Sequence, residues 1–189
     1  MTNLKSQYTY SDYLTWDDDV RRQLINSVVY SEISAPNRKH QDVVGSLSTI
    51  IKNYSRGKKI WIYYAPFDVR LVREGEEDLH TLNVVQPDIS VFCNESMLDD
   101  KGAKGVPDWI VEILSPSNEE VDKVRKLLLY QSYGVKEYWI IDPEKKEVKI
   151  FKLNERNQYD LQSEITNTEV LIPTFFPDLN IDFNELFEF

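Results

Sequence analysis

Two short apolar runs each carry a carboxylate that an apolar run does not need. The first is Gln86-Pro87-Asp88-Ile89-Ser90-Val91-Phe92 and the second is Pro107-Asp108-Trp109-Ile110-Val111-Glu112-Ile113-Leu114. Both are rich in β-branched and aromatic residues and read as buried strands. A carboxylate inside such a strand costs several kcal/mol, as an order of magnitude, unless a cation or hydrogen-bond donors compensate it. The chain must therefore fold so that these carboxylates meet compensating groups, and a shared cation between neighbouring strands answers that need for both.

The strand period of two places Asp108, Ile110, Glu112 and Leu114 on one face, with Trp109, Val111 and Ile113 on the other. Glu112 thus shares a face with aliphatic residues. Mg²⁺ and Mn²⁺ prefer hard oxygen ligands, commonly one or two carboxylates with waters and a substrate phosphate. Asp88 and Glu112 supply two such carboxylates, and the Ile113 backbone carbonyl is a candidate third ligand. The competing reading is structural, with Glu112 at a strand end in a salt bridge to a nearby lysine.

The flanking pattern gives the fold class. A short helix is expected around Ser11 to Trp16 with Ser11 as N-cap, and a strand over Val28 to Ile33. Val43, Val44, Leu47, Ile50, Ile51 and Tyr54 recur at helical spacing across residues 38–55, and Gly57 stops that helix. Extended runs follow at Ile60 to Ala65 and Phe67 to Val72, broken at Pro66. An acidic hairpin tip near Gly75 leads into Leu82 to Val85. After the two carboxylate strands come a helix over about 118–133, ended by Gly134, and a hairpin of Lys136 to Ile141 with Glu147 to Leu153. This order describes an α/β (α+β) chain, a mixed β-sheet flanked by helices, in a single domain over residues 1–189.

Composition limits what such a chain can do. With 41% hydrophobic and 29% charged residues it is an ordinary globular sequence. No run approaches the ~18 apolar residues of a membrane span, and the start lacks the apolar core of a signal peptide. A cytoplasmic protein is expected. Cys93 is the only cysteine, which excludes an internal disulfide or a cysteine metal cluster and suits a small core residue in the strand of Asp88. The net charge of −10 argues against a general nucleic-acid coat. Basic residues nevertheless gather at Arg38-Lys39-His40, Arg56-Gly57-Lys58-Lys59 and Lys123-Val124-Arg125-Lys126, either as solvated helix ends or facing a phosphate backbone.

The helix after Glu112 adds a cation. Asp122, Lys126, Leu129 and Tyr133 fall in one row at spacings of four, three and four. On an exposed face, Asp122 and Lys126 form an ion pair worth only about 0.3–0.5 kcal/mol. A short loop joins Glu112 to this helix, so a helix running back along the sheet brings Lys126 to Glu112. A lysine there can polarise a phosphate or position an attacking water.

Pro-Asp, then a strand glutamate, then a lysine resembles the PD-(D/E)XK nuclease superfamily. More closely, the chain is similar to the Uma-type restriction-endonuclease-like proteins, a bacterial family. The resemblance rests on Ala35 to His40, Ala65 to Leu71, Val85 to Asp88, Val111 to Ser117, Asp122 through Lys126 to Tyr130, and Tyr133 to Pro143. It spans roughly residues 8 to 155. It implies a restriction-endonuclease-like fold and Mg²⁺- or Mn²⁺-dependent hydrolysis of DNA phosphodiesters, with a homodimer by analogy. Asp88 and Glu112 become metal ligands, Lys126 the catalytic lysine with Asp122 orienting it, and Lys123 the reserve. Leu114 stands where the usual Glu-x-Lys lysine belongs. Members usually read Glu-Leu-Ile-Asp-Gly-Glu near the N-terminus, whereas this chain has Gln23-Leu24-Ile25-Asn26-Ser27-Val28.

Gln23 therefore occupies an auxiliary ligand position without an acid, which opens a second functional reading: a catalytically degenerate nuclease fold serving as a binding or scaffolding module. His40 matches a family histidine, as a base or phosphate contact or as a helix-end hydrogen bond. Asp68 interrupts a strand, as an outer carboxylate of the site or as a bulge or turn residue. Tyr130, Tyr133, Tyr138 and Trp139 read as packing aromatics.

Overall fold

A computed structural model describes residues 7–31, 35–115, 121–167 and 170–189, with the side chains of 121–123 outside the description. The chain begins with α1 (Tyr10–Tyr13), β1 (Arg22–Ile25), β2 (Val28–Ser31) and the long α2 (Arg38–Ser55). β3 (Trp61–Tyr64), β4 (Val69–Arg70), β5 (Val84–Val85) and β6 (Ile89–Phe92) follow. A tight hairpin of β7 (Leu98–Asp99) and β8 (Gly102–Lys104) precedes β9 (Trp109–Ile113). Then come a π-helical turn (Val121–Lys126), α3 (Leu127–Tyr133), β10 (Glu137–Asp142), β11 (Glu147–Leu153) and β12 (Tyr159–Ile165). β13 (Val170–Leu171), β14 (Ile181–Asp182) and α4 (Phe183–Leu186) close the chain.

Among the described residues these strands form two mixed six-stranded sheets, ordered β2-β1-β5-β4-β8-β7 and β12-β11-β10-β9-β6-β3, and a small β13-β14 pair. In the second sheet β9 and β10 are parallel and the other neighbours antiparallel. This is the expected mixed-sheet α+β architecture.

The period-two reading of β9 holds in space. Trp109, Val111 and Ile113 pack with Val43, Leu47 and Ile51 of α2 and with Phe176 and Leu186. Ile110 and Leu114 pack on the opposite face with Leu129 and Tyr130 of α3 and with Val69 and Val85 of the other sheet. α2 forms because Val43, Leu47 and Ile51 line one face at i, i+4, i+8, and because Asn37 Oδ1 accepts the His40 N–H at 2.9 Å. Truncating Leu47, which is wholly buried, to alanine would cost about 2–5 kcal/mol. Gly134 ends α3 with φ +85°, the left-handed cap suggested by its position in the sequence.

Several local expectations are corrected. The first helix is capped by Thr9, not Ser11: the Asp12 carboxylate accepts from both the Thr9 N–H and its hydroxyl. Neither β1 nor the β7–β8 hairpin was anticipated. Cys93 lies just past β6. The helix before Gly134 opens as a π turn, and its expected beginning near 118 lies outside the described residues, as does the end of the second strand at 32–33. No helix among the described residues is long and apolar enough to cross a membrane.

Candidate functional site

The pairing of β6 with β9 sets Ile89 opposite Val111 and Ser90 opposite Ile110. Extending this antiparallel register by one step puts Asp88 across from Glu112, at the end of β9 that leads towards α3. The two carboxylates singled out in the sequence therefore arrive at one place. Asp88 Oδ2 accepts the backbone N–H of Ile113 at 2.7 Å. His40, in the first turn of α2, places Nε2 3.2 Å from the same oxygen. Its ring is buried, and Nδ1 has no partner among the described residues.

Glu112 is compensated from the helix. Its side chain is 2% exposed, that of Lys126 is 3% exposed, and their N–O separation is 2.8 Å. The Tyr130 hydroxyl donates to the same Oε1, also at 2.8 Å. Lys126 and Tyr130 lie one helical turn apart, so both converge on one oxygen. Ammonium and hydroxyl together meet the desolvation cost of this carboxylate. The buried pair also corrects the reading of Lys123-Val124-Arg125-Lys126 as a solvent-facing basic patch: Lys126 points inward, while Arg125 meets the Tyr30 hydroxyl. Asp122 and Lys123 lie on the π turn, but their side chains are outside the described ones.

Asp108, the carboxylate immediately before β9, is compensated separately by Lys136 at 2.6 Å and the Cys93 N–H at 2.7 Å. Burial, followed by the Asp108 charge, pushes the Cys93 thiol up to about 11. The thiol is thus protonated near neutrality and no nucleophile.

The remaining predicted residues form a polar network where the chain passes from β5 to β6. Gln23 Oε1 accepts the Gln86 N–H at 3.0 Å. The Gln86 amide donates to Asp68 Oδ1 at 2.7 Å, and the Tyr13 hydroxyl donates to that oxygen at 3.0 Å. Burial, then the charge of Asp68, raises the Tyr13 hydroxyl's pKa, which keeps it a donor. Asp68 is a network carboxylate, and Gln23 fastens the strand carrying Asp88 by a backbone bond that needs no charge.

Among the described residues no group of three or more His, Cys, Asp and Glu side chains is arranged to hold a metal ion. The donor set beside β9 is instead two hard carboxylates, which suits an ion that keeps waters and takes oxygens from a substrate phosphate. By that chemistry the residues fit Mg²⁺ or Mn²⁺. The contacts of Tyr130 and His40 were not legible as such. The one available signal for Tyr130 was its i+4 spacing from Lys126.

Comparison with known proteins finds a family, a relative and a solved structure. The family described as "Uma2: Putative restriction endonuclease" matches residues 10–184. A protein of Synechocystis sp., "Uncharacterized protein slr1290", is 25% identical over 149 residues, covering 76% of this chain and 73% of that protein. In structure the chain is similar to a "putative nuclease belonging to DUF820" from Anabaena variabilis, with a TM-score of 0.73 at 19% identity. That similarity covers 96% of this chain and 98% of the other.

Proposed function

The chain belongs to the Uma2 family, and from that premise we propose that it is a Mg²⁺- or Mn²⁺-dependent endonuclease hydrolysing DNA phosphodiester bonds. The observation that carries this reading is the buried Glu112 carboxylate, bonded by Lys126 and Tyr130 and set across from Asp88. Asp88, Glu112 and the Ile113 carbonyl are the groups that would hold the ion. Such an ion, when bound, supplies positive charge to a phosphate and lowers the pKa of a water.

The chain's own residues do the rest. The Ile113 N–H and the His40 ring hold the Asp88 carboxylate in place. Lys126 directs an N–H to Glu112, and its charge would stabilise the negative charge that builds on a phosphate under attack. Asp122 is assigned to orient Lys126, with Lys123 as the reserve. Two subunits, each cutting one strand, complete the reading as a homodimer.

A scaffold without catalysis is the second reading. It is favoured by Gln23, an amide whose oxygen is engaged by a backbone N–H. Nicking of supercoiled plasmid with Mn²⁺, Mg²⁺ or EDTA, by wild type and Glu112→Ala, separates the two. Metal-dependent nicking lost in the variant supports the nuclease. Equal and negligible nicking by both, with no metal-induced rise in melting temperature, supports the scaffold.

A further inference from the structure

Beside the Asp68–Gln86 network lies an open cavity of about 320 Å³, lined by Pro66, Phe67, Asp68, Gln86, Asp100 and Lys101 among others. We infer that this cavity takes one unpaired nucleobase of the substrate strand, read by Asp68 and stacked on Phe67. The inference rests on the nuclease reading and narrows its substrate to single-stranded or flipped-out DNA.

Three observations carry it. The first is the state of Asp68. Both bonds to its side chain, from Tyr13 and Gln86, fall on Oδ1. Oδ2 has no partner among the described residues. The carboxylate is thus held fixed by one oxygen while the other remains an acceptor at the cavity. The second is the aromatic wall. Phe67 is stacked on Tyr63 with ring centroids 4.1 Å apart and planes 7° from parallel. A ring backed in this way is a rigid platform, and base–aromatic stacking is largely indifferent to sequence.

The third is position. Gln86 and Asp88 are two residues apart, so their Cα atoms are at most about 7 Å from one another. The Ala65 N–H donates to the Asp88 carbonyl, which ties the segment leading into Pro66 and Phe67 to the same place. A base in the cavity is therefore adjacent to a phosphate at Asp88 and Glu112.

The volume lies near the lower end of ligand pockets, about 300–1,000 Å³, and suits one flat ring system. Asp99, also in the wall, has one oxygen on Arg70 and the other on the Lys101 N–H. The Lys101 ammonium, whose charge also acts on Asp99, is the group in the wall that can meet a backbone phosphate. A carboxylate acceptor selects bases that offer an exocyclic amine, namely cytosine, adenine and guanine. Thymine offers one ring N–H between two carbonyls that the carboxylate repels. A base inside a duplex presents its pairing edge to its partner and must leave the stack to reach Asp68.

The test is equilibrium binding of fluorescein-labelled octanucleotides (dC8, dA8, dT8 and a blunt duplex) in EDTA, followed by anisotropy. Wild type is expected to bind dC8 and dA8 more tightly than dT8 and the duplex. Phe67→Ala should weaken dC8 binding between about five- and a hundredfold. Asp68→Asn, which places an amide donor beside the base, should erase the preference over dT8. Circular dichroism of each variant verifies folding, and Phe67→Leu substitutes if the alanine variant unfolds. Single strands bound equally by wild type and both variants overturn the base site alone. Absence of any DNA binding by folded wild type overturns the nuclease reading with it.

Discussion

Lys126→Met isolates the central electrostatic arrangement of the site. Methionine approximates the lysine stem and removes only the ammonium, leaving the Glu112 carboxylate in a strand where its residue is 1% exposed. The Tyr130 hydroxyl remains as a donor, but one neutral hydroxyl does not replace a charge. Breaking a buried pair from one side costs about 3–5 kcal/mol, because the surviving charge loses its counter-charge. For a chain of this size each kcal/mol shifts the melting temperature by roughly 2–4 °C, so the variant should melt roughly 6–20 °C below wild type. The double variant Glu112→Gln/Lys126→Met removes the stranded charge and should recover most of that loss. Both are measured by urea denaturation and thermal melts at neutral pH in EDTA. A single variant within about 1 kcal/mol of wild type, or a double variant no more stable than the single, would refute the argument that Lys126 neutralises Glu112.

Four further outcomes are expected. Tyr130→Phe deletes a hydroxyl bonded to an ionised oxygen and should lower stability by about 1.5–3 kcal/mol in urea titrations, with a matching fall in any plasmid nicking. Mn²⁺ at 100 times its Kd should stabilise wild type by about 2.7 kcal/mol and Glu112→Gln not at all, as read by thermal shift. Gly102→Ala places a Cβ 2.2 Å from the Asp68 carbonyl oxygen at a φ of +125°, so denaturation should show a loss well above 1 kcal/mol; an unchanged midpoint would contradict that contact.

Burial raises Glu137 above its ordinary 4.5, against the N–H groups of Trp139, Phe175 and Thr174 that pull it down. The folded state therefore favours the proton. That contribution to stability is complete below the unfolded value and is lost as pH rises through the folded one. The stability difference between wild type and Glu137→Gln should accordingly shrink with rising pH above 4.5, and a flat or growing difference would count against it.

What the sequence disclosed follows from where its information is local. α2, β6, β9, β10 and β11 were legible because each buries a repeating apolar face, and period alone reports that. The alternation in β9 likewise assigned Glu112 to the face of Ile110 and Leu114. β1 was missed because Arg22-Gln23-Leu24-Ile25 has no such pattern. Gln23 is buried there because its amide oxygen meets the Gln86 N–H, a partner 63 residues away. The β7–β8 hairpin was missed for the same reason. Asp99 belongs to a strand because it reaches Arg70, itself buried against Asp78 and the Ala103 carbonyl.

The lysine shows where local reading stops. A helix row from Asp122 to Lys126 to Tyr133 assumes α-helical winding throughout, but residues Val121–Lys126 wind as a π turn. The i→i+5 bonds of such a turn differ from the i→i+4 bonds on which that row was drawn. Regular winding resumes at Leu127, so from Lys126 onward the i+4 relation holds and the row that matters is Lys126 with Tyr130. Both donors then meet Glu112 Oε1. The sequence predicted that a lysine from this helix would answer the strand carboxylate. The neighbour that joins it on Glu112 is a tyrosine that reads, in sequence, as ordinary core.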